Sequence, residues 1–248
     1  MIAALEMQDL RFRYPDGTEA LRGFSATVAD GACVGIVGPN GAGKTTLALL
    51  LAGFLEPAAG EVRLFGRAIT RDEIAQARTE IGFTFHDPDD QLFMPTVLED
   101  VCFGPLCAGV SPDDAVHQAR AMLAALEIEN LAGRFPGHLS TGQKRLATLA
   151  GVLVMNPRVL VLDEPTAFLD PHARRQVLSH LQRLPQSKVL ITHDLELVLE
   201  LCSEVVVISG GRNVTAGPPR RVLADAALME AHRLEVPHSL KPPAAARG

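Results

Sequence analysis

The chain has 248 residues, of which 47% are hydrophobic, and its formal net charge is −6. This length suits one large domain or a core with a subdomain, and the acidic balance argues against nucleic acid as the main partner. No apolar stretch approaches the roughly 20 residues that span a bilayer, and the N-terminus does not resemble a signal peptide. The four scattered cysteines form no C-x-x-C pair, which argues against a metal or redox motif and predicts isolated thiols in a reducing cytosol.

Apolar runs and turn signals predict a series of strands in the first third of the chain. A Pro-Asp-Gly turn separates the first two strands, because Pro fixes φ and Gly accepts a positive φ. A helix is predicted over residues 47–52, and an irregular acidic loop over residues 87–90. The predicted strands are residues 5–14, 20–28, 33–37, 61–66 and 81–85.

Residues 38–46, GPNGAGKTT, lie between a predicted strand and a predicted helix and match the phosphate-loop pattern G-x-x-x-x-G-K-[ST]. Glycines let backbone N–H groups turn inward around phosphates, and a helix N-terminus adds partial positive charge. Lys44 is predicted to reach the β- and γ-phosphates, and the Thr45 hydroxyl to hold Mg²⁺. The alternative is a Gly-rich strand–turn–helix corner that carries a lysine. The nucleotide-binding residues predicted in this loop are Asn40, Gly41, Ala42, Gly43, Lys44, Thr45 and Thr46.

The middle of the chain is predicted to be helical. Ser111 suits an N-cap and Pro112 the first helical position, and the helix is expected to run to about Leu126. Its apolar residues on helical spacing are Ala115, Val116, Ala119, Met122, Leu123 and Leu126.

Beyond residue 152, apolar strands alternate with helices, which predicts a parallel sheet covered on both faces. These strands are residues 159–162, 188–192 and 205–208. Residues 237–248 are rich in Pro, Ala and Arg, and we expect them to fray.

Two acids, Asp163 and Glu164, stand at the carboxyl end of the predicted strand 159–162. Ligands bind at that end of open α/β sheets. Asp163 suits Mg²⁺ through the ion's water shell, and Glu164 is positioned to orient or activate an attacking water. The alternative is a strand that ends in two solvated acids.

With these residues, the chain resembles the ATP-binding subunit of an ABC transporter over almost its whole length. L-S-T-G-Q at 139–143 is similar to the family's L-S-G-G-Q signature, A-F-L-D at 167–170 to its D-loop, and T-H-D at 192–194 to the segment with its switch histidine. Tyr14 stands where the family stacks an aromatic ring on adenine. The resemblance implies a P-loop ABC ATPase fold in the α/β class. It has a RecA-like parallel sheet core, an N-terminal antiparallel β-subdomain and an inserted α-helical subdomain.

The resemblance also divides the chain into four parts. Residues 1–85 are expected to hold the nucleotide-binding core, the antiparallel subdomain and the phosphate loop. Residues 86–155 are expected to hold the Q-loop region, the helical subdomain and the signature helix. Residues 156–220 are expected to complete the core with the acid strand, D-loop and switch histidine, and residues 221–248 to form a C-terminal helix and flexible tail.

The signature segment is predicted to start a helix over residues 146–155, with Ser140 and Gln143 as a capping box. In the family this helix covers the γ-phosphate bound by a second subunit. The resemblance therefore implies a head-to-tail dimer with ATP at its interface, in which Ser140, Gly142 and Gln143 serve the partner's nucleotide. It implies that Asp170 links the two sites and that His193 holds the γ-phosphate and Glu164.

Residues 85–105 resemble the energy-coupling-factor branch of the family, especially cobalt- and nickel-type importers. The resemblance implies a membrane-peripheral ATPase at the cytoplasmic face, with ATP and Mg²⁺ as cofactors. Its partners would be a second copy or a similar ATPase, a membrane coupling protein and a membrane substrate-binding protein. Cobalt is the first expected cargo, followed by nickel and biotin. The alternatives are a soluble ABC-type ATPase and a nucleotide-binding module that barely hydrolyses.

The chain departs from the family pattern at three positions. His86 stands at the Q-loop glutamine, and imidazole is a poor ligand for so hard a cation as Mg²⁺. We therefore expect His86 to act through water or a backbone contact, with Gln91 as a second candidate. Thr141 replaces a signature glycine, and Phe168 replaces a small D-loop residue.

Overall fold

The structure, a computed structural model, describes residues 3–241. Its strands are β1 (Ala3–Arg13), β2 (Glu19–Ala29), β3 (Cys33–Val37), β4 (Ala59–Leu64), β5 (Arg67–Ala68), β6 (Ile81–Thr84), β7 (Val159–Asp163), β8 (Ser187–Ile191), β9 (Glu204–Ser209) and β10 (Arg212–Gly217). Its α-helices are α1 (Lys44–Leu51), α2 (Ile74–Glu80), α3 (Val97–Cys107), α4 (Pro112–Ala125), α5 (Thr141–Leu153), α6 (Pro171–Arg183), α7 (Leu195–Leu201), α8 (Pro219–Val222) and α9 (Ala226–Ala231).

The larger sheet has six strands in the order β10-β9-β3-β8-β7-β6, and all neighbours are parallel except β10 and β9. Every residue of β3, β7 and β8 is buried, which explains their near-continuous apolar sequences. Ile191 of β8 pairs with Asp163 of β7. The chain segments that follow β3, β7 and β8 therefore leave the sheet at the same edge, where the predicted site residues lie.

The smaller sheet is antiparallel, with the order β2-β1-β4-β5. Phe24 of this sheet, Leu47 of α1 and Val161 of β7 belong to one buried cluster. Helix α1 contacts strands of both sheets. The phosphate loop is therefore anchored at the junction of the two sheets, and the predicted antiparallel subdomain and parallel core are confirmed.

Helices α3, α4 and α5 pack on one another, and α5 also packs on β6. The predicted start of α4 is confirmed, since the Ser111 side chain accepts a hydrogen bond from the Asp114 N–H. Ala115 and Ala119 are buried, but Val116 is exposed. The prediction that Val116 belongs to the apolar face is wrong, because one residue turns the helix about 100° away from its neighbour.

Several other predictions need correction. The acidic loop holds a 3₁₀ turn over Pro88–Asp90, whose start is capped by the Asp87 side chain. Fraying from residue 237 is wrong for the described part of the tail, because Ser239 donates two hydrogen bonds to Glu196, at 2.9 and 2.6 Å. Residues 242–248 lie outside the described residues. The division at residues 85, 155 and 220 stays a prediction.

Two of the cysteines are neighbours. The Sγ atoms of Cys33, on β3, and Cys202, which caps α7, lie 3.3 Å apart, and both thiols are free. The prediction of isolated thiols is therefore wrong for this pair. Across residues 3–241, none of the helices is long and apolar enough to cross a membrane.

Candidate nucleotide-binding site

The phosphate loop follows β3 and has a backbone that requires glycine. Gly41 and Gly43 have φ values of 77° and 101°, in the left-handed region that favours glycine. A Cβ atom at Gly43 would lie 2.4 Å from the Ala20 carbonyl oxygen, and one at Gly38 would lie 2.1 Å from the Ile208 carbonyl oxygen. Any side chain at either position would force the loop away from the sheets.

Lys44 begins α1 and folds back over the loop. Its ammonium group donates hydrogen bonds to the carbonyl oxygens of Gly38, at 2.7 Å, and Pro39, at 3.1 Å. Burial lowers the pKa of Lys44, whereas the nearby charges of Glu164 and Asp163 act in the opposite direction. A half-buried cation beside a helix N-terminus suits an anionic ligand.

A cavity of about 460 Å³ brings together most of the residues predicted for nucleotide binding. Ala42 is an exception, because it is buried and its N–H donates to the Pro39 carbonyl oxygen at 3.2 Å. Thr18, Glu19 and Ala20 line the cavity although the sequence did not single them out. The predicted residues in its wall are Tyr14, Asn40, Gly41, Gly43, Lys44, Thr45, Thr46, His86, Asp163, Glu164 and His193.

Asp163 ends β7 and is 4% exposed. Burial, together with the adjacent Glu164 charge, raises the pKa of Asp163 to about 6, although His86, Lys44 and Arg145 lower it. A buried carboxylate is costly unless a cation or a proton accompanies it. Asp163 and the Thr45 hydroxyl line the same cavity, and both supply the oxygen donors that Mg²⁺ prefers.

The Glu164 carboxylate is held by the two residues that directly follow β8. Its oxygens accept hydrogen bonds from the Thr192 hydroxyl, at 2.8 Å, and from the His193 backbone N–H, at 3.0 Å. The His193 Nδ1 atom lies 2.8 Å from the same carboxylate. Glu164 also has a φ of 50°, a strained value for a side chain of this size. Sequence reasoning missed Thr192, whose signal was a hydroxyl next to the switch histidine at the end of a buried strand.

His86 lies in the cavity wall, while Gln91 is turned away from it. The Gln91 amide donates to the Thr148 carbonyl oxygen at 3.3 Å and accepts from the Phe85 N–H at 3.4 Å. The His86 ring meets the Phe168 ring edge-on, with centroids 5.9 Å apart. Gln91 is thus engaged with backbone groups, and His86 is the residue of this loop that faces the acids.

The signature residues Ser140, Gly142 and Gln143 line a different cavity, of about 360 Å³, together with Asp170. The predicted capping box is confirmed, because Ser140 Oγ accepts from the Gln143 N–H and Gln143 Oε1 accepts from the Ser140 N–H. A Cβ atom at Gly142 would lie 2.6 Å from the Ala173 Cβ, so α5 and α6 approach closely there.

Asp170 caps α6 within its own chain. Its carboxylate accepts hydrogen bonds from the N–H groups of His172, at 2.8 Å, and Ala173, at 2.9 Å, and these bonds lower its pKa. Phe168, two residues earlier, is 81% exposed. The D-loop therefore presents a large apolar ring on the surface next to a satisfied helix cap.

The residues of the first cavity fit a magnesium–nucleotide complex. The loop leaves room where a Cβ atom would intrude, the ammonium group of Lys44 lies over it, and a buried carboxylate shares the cavity with a hydroxyl. A phosphate loop between a parallel strand and a helix, with acids at the end of another parallel strand, defines a P-loop ATPase.

The chain belongs to the ABC transporter family, whose family profile matches residues 21–167. The ATP-binding domains of this family bind ATP, usually with Mg²⁺, and hydrolyse it to power transport. A Geobacter sulfurreducens protein named as an ABC transporter ATP-binding protein is 44% identical over 237 residues, which cover 96% of this chain and 95% of that protein.

Relatives in the energy-coupling-factor branch are also similar. The energy-coupling factor transporter ATP-binding protein EcfA of Methanothermobacter thermautotrophicus is 39% identical, over 95% of this chain and 77% of that protein. The solved structure of cbiO1 from Clostridium perfringens, part of the ABC transporter complex cbiONQ, has a TM-score of 0.82 and 34% identity. That match covers 97% of this chain and 98% of cbiO1.

Proposed function

We propose that this chain is the ATP-hydrolysing subunit of an energy-coupling-factor importer and that it works as a dimer with ATP at the interface. The observation that carries the proposal is the separation of the site into two cavities. Lys44 and Asp163 line one, and Ser140 and Gly142 line the other. A head-to-tail partner would bring the second kind of cavity onto the first. The energy-coupling-factor relatives support this branch of the family.

Within the composite site, each residue has a proposed task. Lys44 and the loop N–H groups bind the β- and γ-phosphates, Thr45 and Asp163 hold Mg²⁺, and Tyr14 stacks on adenine. The bound cation stabilises charge on the phosphates. Asn40 and Thr46 complete the loop, while Gln143 contributes through its capping box and Asp170 lies at the interface.

Glu164 is the proposed water-orienting group. Its carboxylate is fixed by Thr192 and by the His193 N–H, so it enters the reaction already placed. His193 is 67% exposed, and its ring is free to meet the γ-phosphate on its open side while it contacts Glu164. Binding energy from closure of the dimer would supply the conformational work of transport.

An exposed apolar patch supports docking of a membrane coupling protein at the helical region. Phe93 and Phe103 are 63% and 41% exposed, and their rings meet edge-on with centroids 5.0 Å apart. Leu106, on the same helix as Phe103, is 43% exposed. Patches of this kind mark interaction sites. We place the subunit at the cytoplasmic face of the membrane, peripherally bound to the coupling and substrate-binding proteins.

Cobalt is the first proposed cargo, with nickel and biotin behind it, because residues 85–105 resemble cobalt- and nickel-type importers. The test is affinity purification of the tagged chain from membranes of its source cells, followed by uptake of each cargo in cells that carry either the natural chain or Glu164→Gln. We expect membrane proteins in the purified complex and loss of cobalt uptake in the variant. A chain that purifies without membrane proteins, from cells whose uptake is unchanged by the variant, would refute the proposal.

A second candidate is a nucleotide-dependent module that barely hydrolyses. Two observations favour it: the Glu164 carboxylate is already engaged by the Thr192 hydroxyl and by the backbone N–H and ring of His193, and His86 stands in the same cavity in place of a glutamine. Glu164→Gln separates this candidate from the transport ATPase, and His86→Gln tests the role of His86. If His86 merely replaces the glutamine, the variant keeps ATP hydrolysis coupled to transport, and loss of both would contradict that role. Equal slow hydrolysis by the natural chain and Glu164→Gln would favour the weak module.

A further inference from the structure

A residue near the start of helix α5 forms hydrogen bonds with the loop that carries His86. Arg145, in the first turns of α5, is only 2% exposed. One terminal nitrogen of its guanidinium donates to the Phe85 carbonyl oxygen and the other to the His86 carbonyl oxygen, both at 2.8 Å. A charged, forked donor gives stronger and more directional hydrogen bonds than a neutral one.

We call each such polar contact between α5 and this loop a tie, and a second tie lies beside the one that Arg145 makes. The Lys144 ammonium group donates to both carboxylate oxygens of Asp89, at 2.6 and 2.8 Å, and the Lys144 side chain is 16% exposed. The Gln91 amide, further along the loop, donates to the Thr148 carbonyl oxygen of α5. We name residues 85–91 the His86 loop; α5 holds it at three places along its length.

The ties join two places that serve different cavities. The N-terminus of α5 carries Ser140 and Gly142, which line the partner-facing cavity, and His86 lines the cavity with Lys44 and Asp163. In the described part of the chain, Arg145 Nε has no hydrogen-bond partner, so this buried guanidinium depends on the two carbonyl bonds of its terminal nitrogens. Pulling the loop from the helix would leave that charge poorly paired, which is costly. The helix and the loop should therefore move together.

We infer that Arg145 and Lys144 are positioning residues that make α5 and the His86 loop one moving unit. Contact of a second subunit at Ser140 and Gly142 then sets the place of His86 in the chain's own nucleotide site. This inference rests on the proposed dimer. In such a dimer, the binding of one subunit would change the position of His86 in the nucleotide site of the subunit that it contacts.

The test compares Lys144→Ala and Arg145→Lys with the natural chain. Arg145→Lys keeps the charge but removes the fork, and Lys144→Ala removes a tie at the rim. The matched control is Arg120→Ala, which removes an exposed ion pair between Arg120, on α4, and Glu129, at 3.8 Å. Thermal unfolding and the affinity of a fluorescent ATP analogue check that each variant folds and binds nucleotide.

Two readouts report on positioning itself. The first is the histidine ring NMR spectrum with Mg²⁺ and a non-hydrolysable ATP analogue, in which the His86 signal is identified by its loss in His86→Gln. The second is the dependence of hydrolysis on ATP concentration. We expect both tie variants to broaden or split the His86 signal and to move hydrolysis toward non-cooperative behaviour. We also expect the ATP-driven dimer to weaken roughly tenfold, because each variant loosens the contact between the loop and the helix that carries the partner-facing residues.

The outcomes separate the inference from the proposed function. If Glu164→Gln alone forms no ATP-driven dimer, the proposed function fails. If that dimer forms, yet the tie variants match Arg120→Ala in the His86 signal, the cooperativity and the dimer affinity, the inference is overturned. If Arg145→Lys does not fold, Lys144→Ala decides the matter by the same readouts.

Discussion

The two halves of the candidate site are built in different ways. On the phosphate-loop side, Asp163, Glu164 and Thr192 are all buried, and hydrogen bonds from the two residues after β8 fix the Glu164 carboxylate. On the signature side, Ser140 and Asp170 are exposed, and each caps its own helix. The first half is assembled within one chain. The second half lies on the surface, and in the proposed dimer it serves the partner's nucleotide, so variants in the two halves should fail in different ways.

Lys44→Ala is expected to have the largest effect, because it removes the cation over the phosphate loop. Hydrolysis should fall by about 100-fold or more, the range found when one preorganised electrostatic group is lost. Phosphate release at saturating ATP measures the rate, and Lys241→Ala, on an exposed side chain, is the control. A fall of less than about threefold would contradict the claim that Lys44 binds the phosphates during hydrolysis.

Ser140→Ala tests the other half against a matched cap. Ser111→Ala removes the equivalent cap of α4, so each variant should cost about 1 kcal/mol of unfolding free energy. Only Ser140→Ala should also weaken the ATP-driven dimer and slow hydrolysis, while the affinity of the single chain for ATP stays unchanged. Urea unfolding and light scattering measure the two effects. If light scattering shows the same ATP-driven dimer for both variants, Ser140 acts only as a helix cap.

Asp194 links the switch segment to α6 and is stabilised in its charged form. Burial raises its pKa, but hydrogen bonds and charge from Arg174, with the Leu197 N–H, outweigh burial and hold the pKa below 3.8. A lowered pKa stabilises the fold above the unfolded value of about 3.8, and that stabilisation is lost as pH falls through the folded value.

Asp194→Asn should therefore lower the unfolding free energy by about 1–3 kcal/mol at neutral pH. The difference from the natural chain should shrink as the pH falls below 3.8. Urea unfolding across this range measures it. A loss of stability that is the same at every pH would show that Asp194 acts through packing rather than through its charge.

Phe168→Ser is expected to have the smallest effect on folding. The ring is 81% exposed, so the unfolding free energy should change by less than about 0.5 kcal/mol. Any effect should fall on the dimer and weaken it by less than about tenfold. A large loss of stability would place Phe168 in the fold of its own chain instead of on the partner-facing surface.

The parts of the fold that follow from local pattern were predictable. The strands β3, β7 and β8 each contain an apolar run, and α4 has a serine cap followed by proline. Other elements give a weaker signal. Helix α3 contains Gly104 and Pro105, which indicate a break, and β10 is largely polar because it lies at the edge of its sheet.

The candidate site also contains residues that were predictable from local sequence and residues that were not. The phosphate loop and the acids belong to short motifs, so their residues were found from spacing alone. Thr192 and Arg145 act on residues 28 and 59 or 60 positions away in the chain. Cys33 and Cys202, 169 positions apart, are likewise neighbours only because β3 and α7 pack together. Contacts of this range depend on the tertiary fold, which local patterns do not encode.

The most direct test of the account is the oligomeric state of Glu164→Gln measured by light scattering with and without Mg²⁺-ATP. The variant keeps the phosphate loop but loses the water-orienting carboxylate, so hydrolysis should fall by about 100-fold or more. We predict a monomer without nucleotide and a stable dimer with ATP, which Ser140→Ala in the same chain weakens. A variant that stays monomeric at saturating ATP would contradict the claim that two chains build one site.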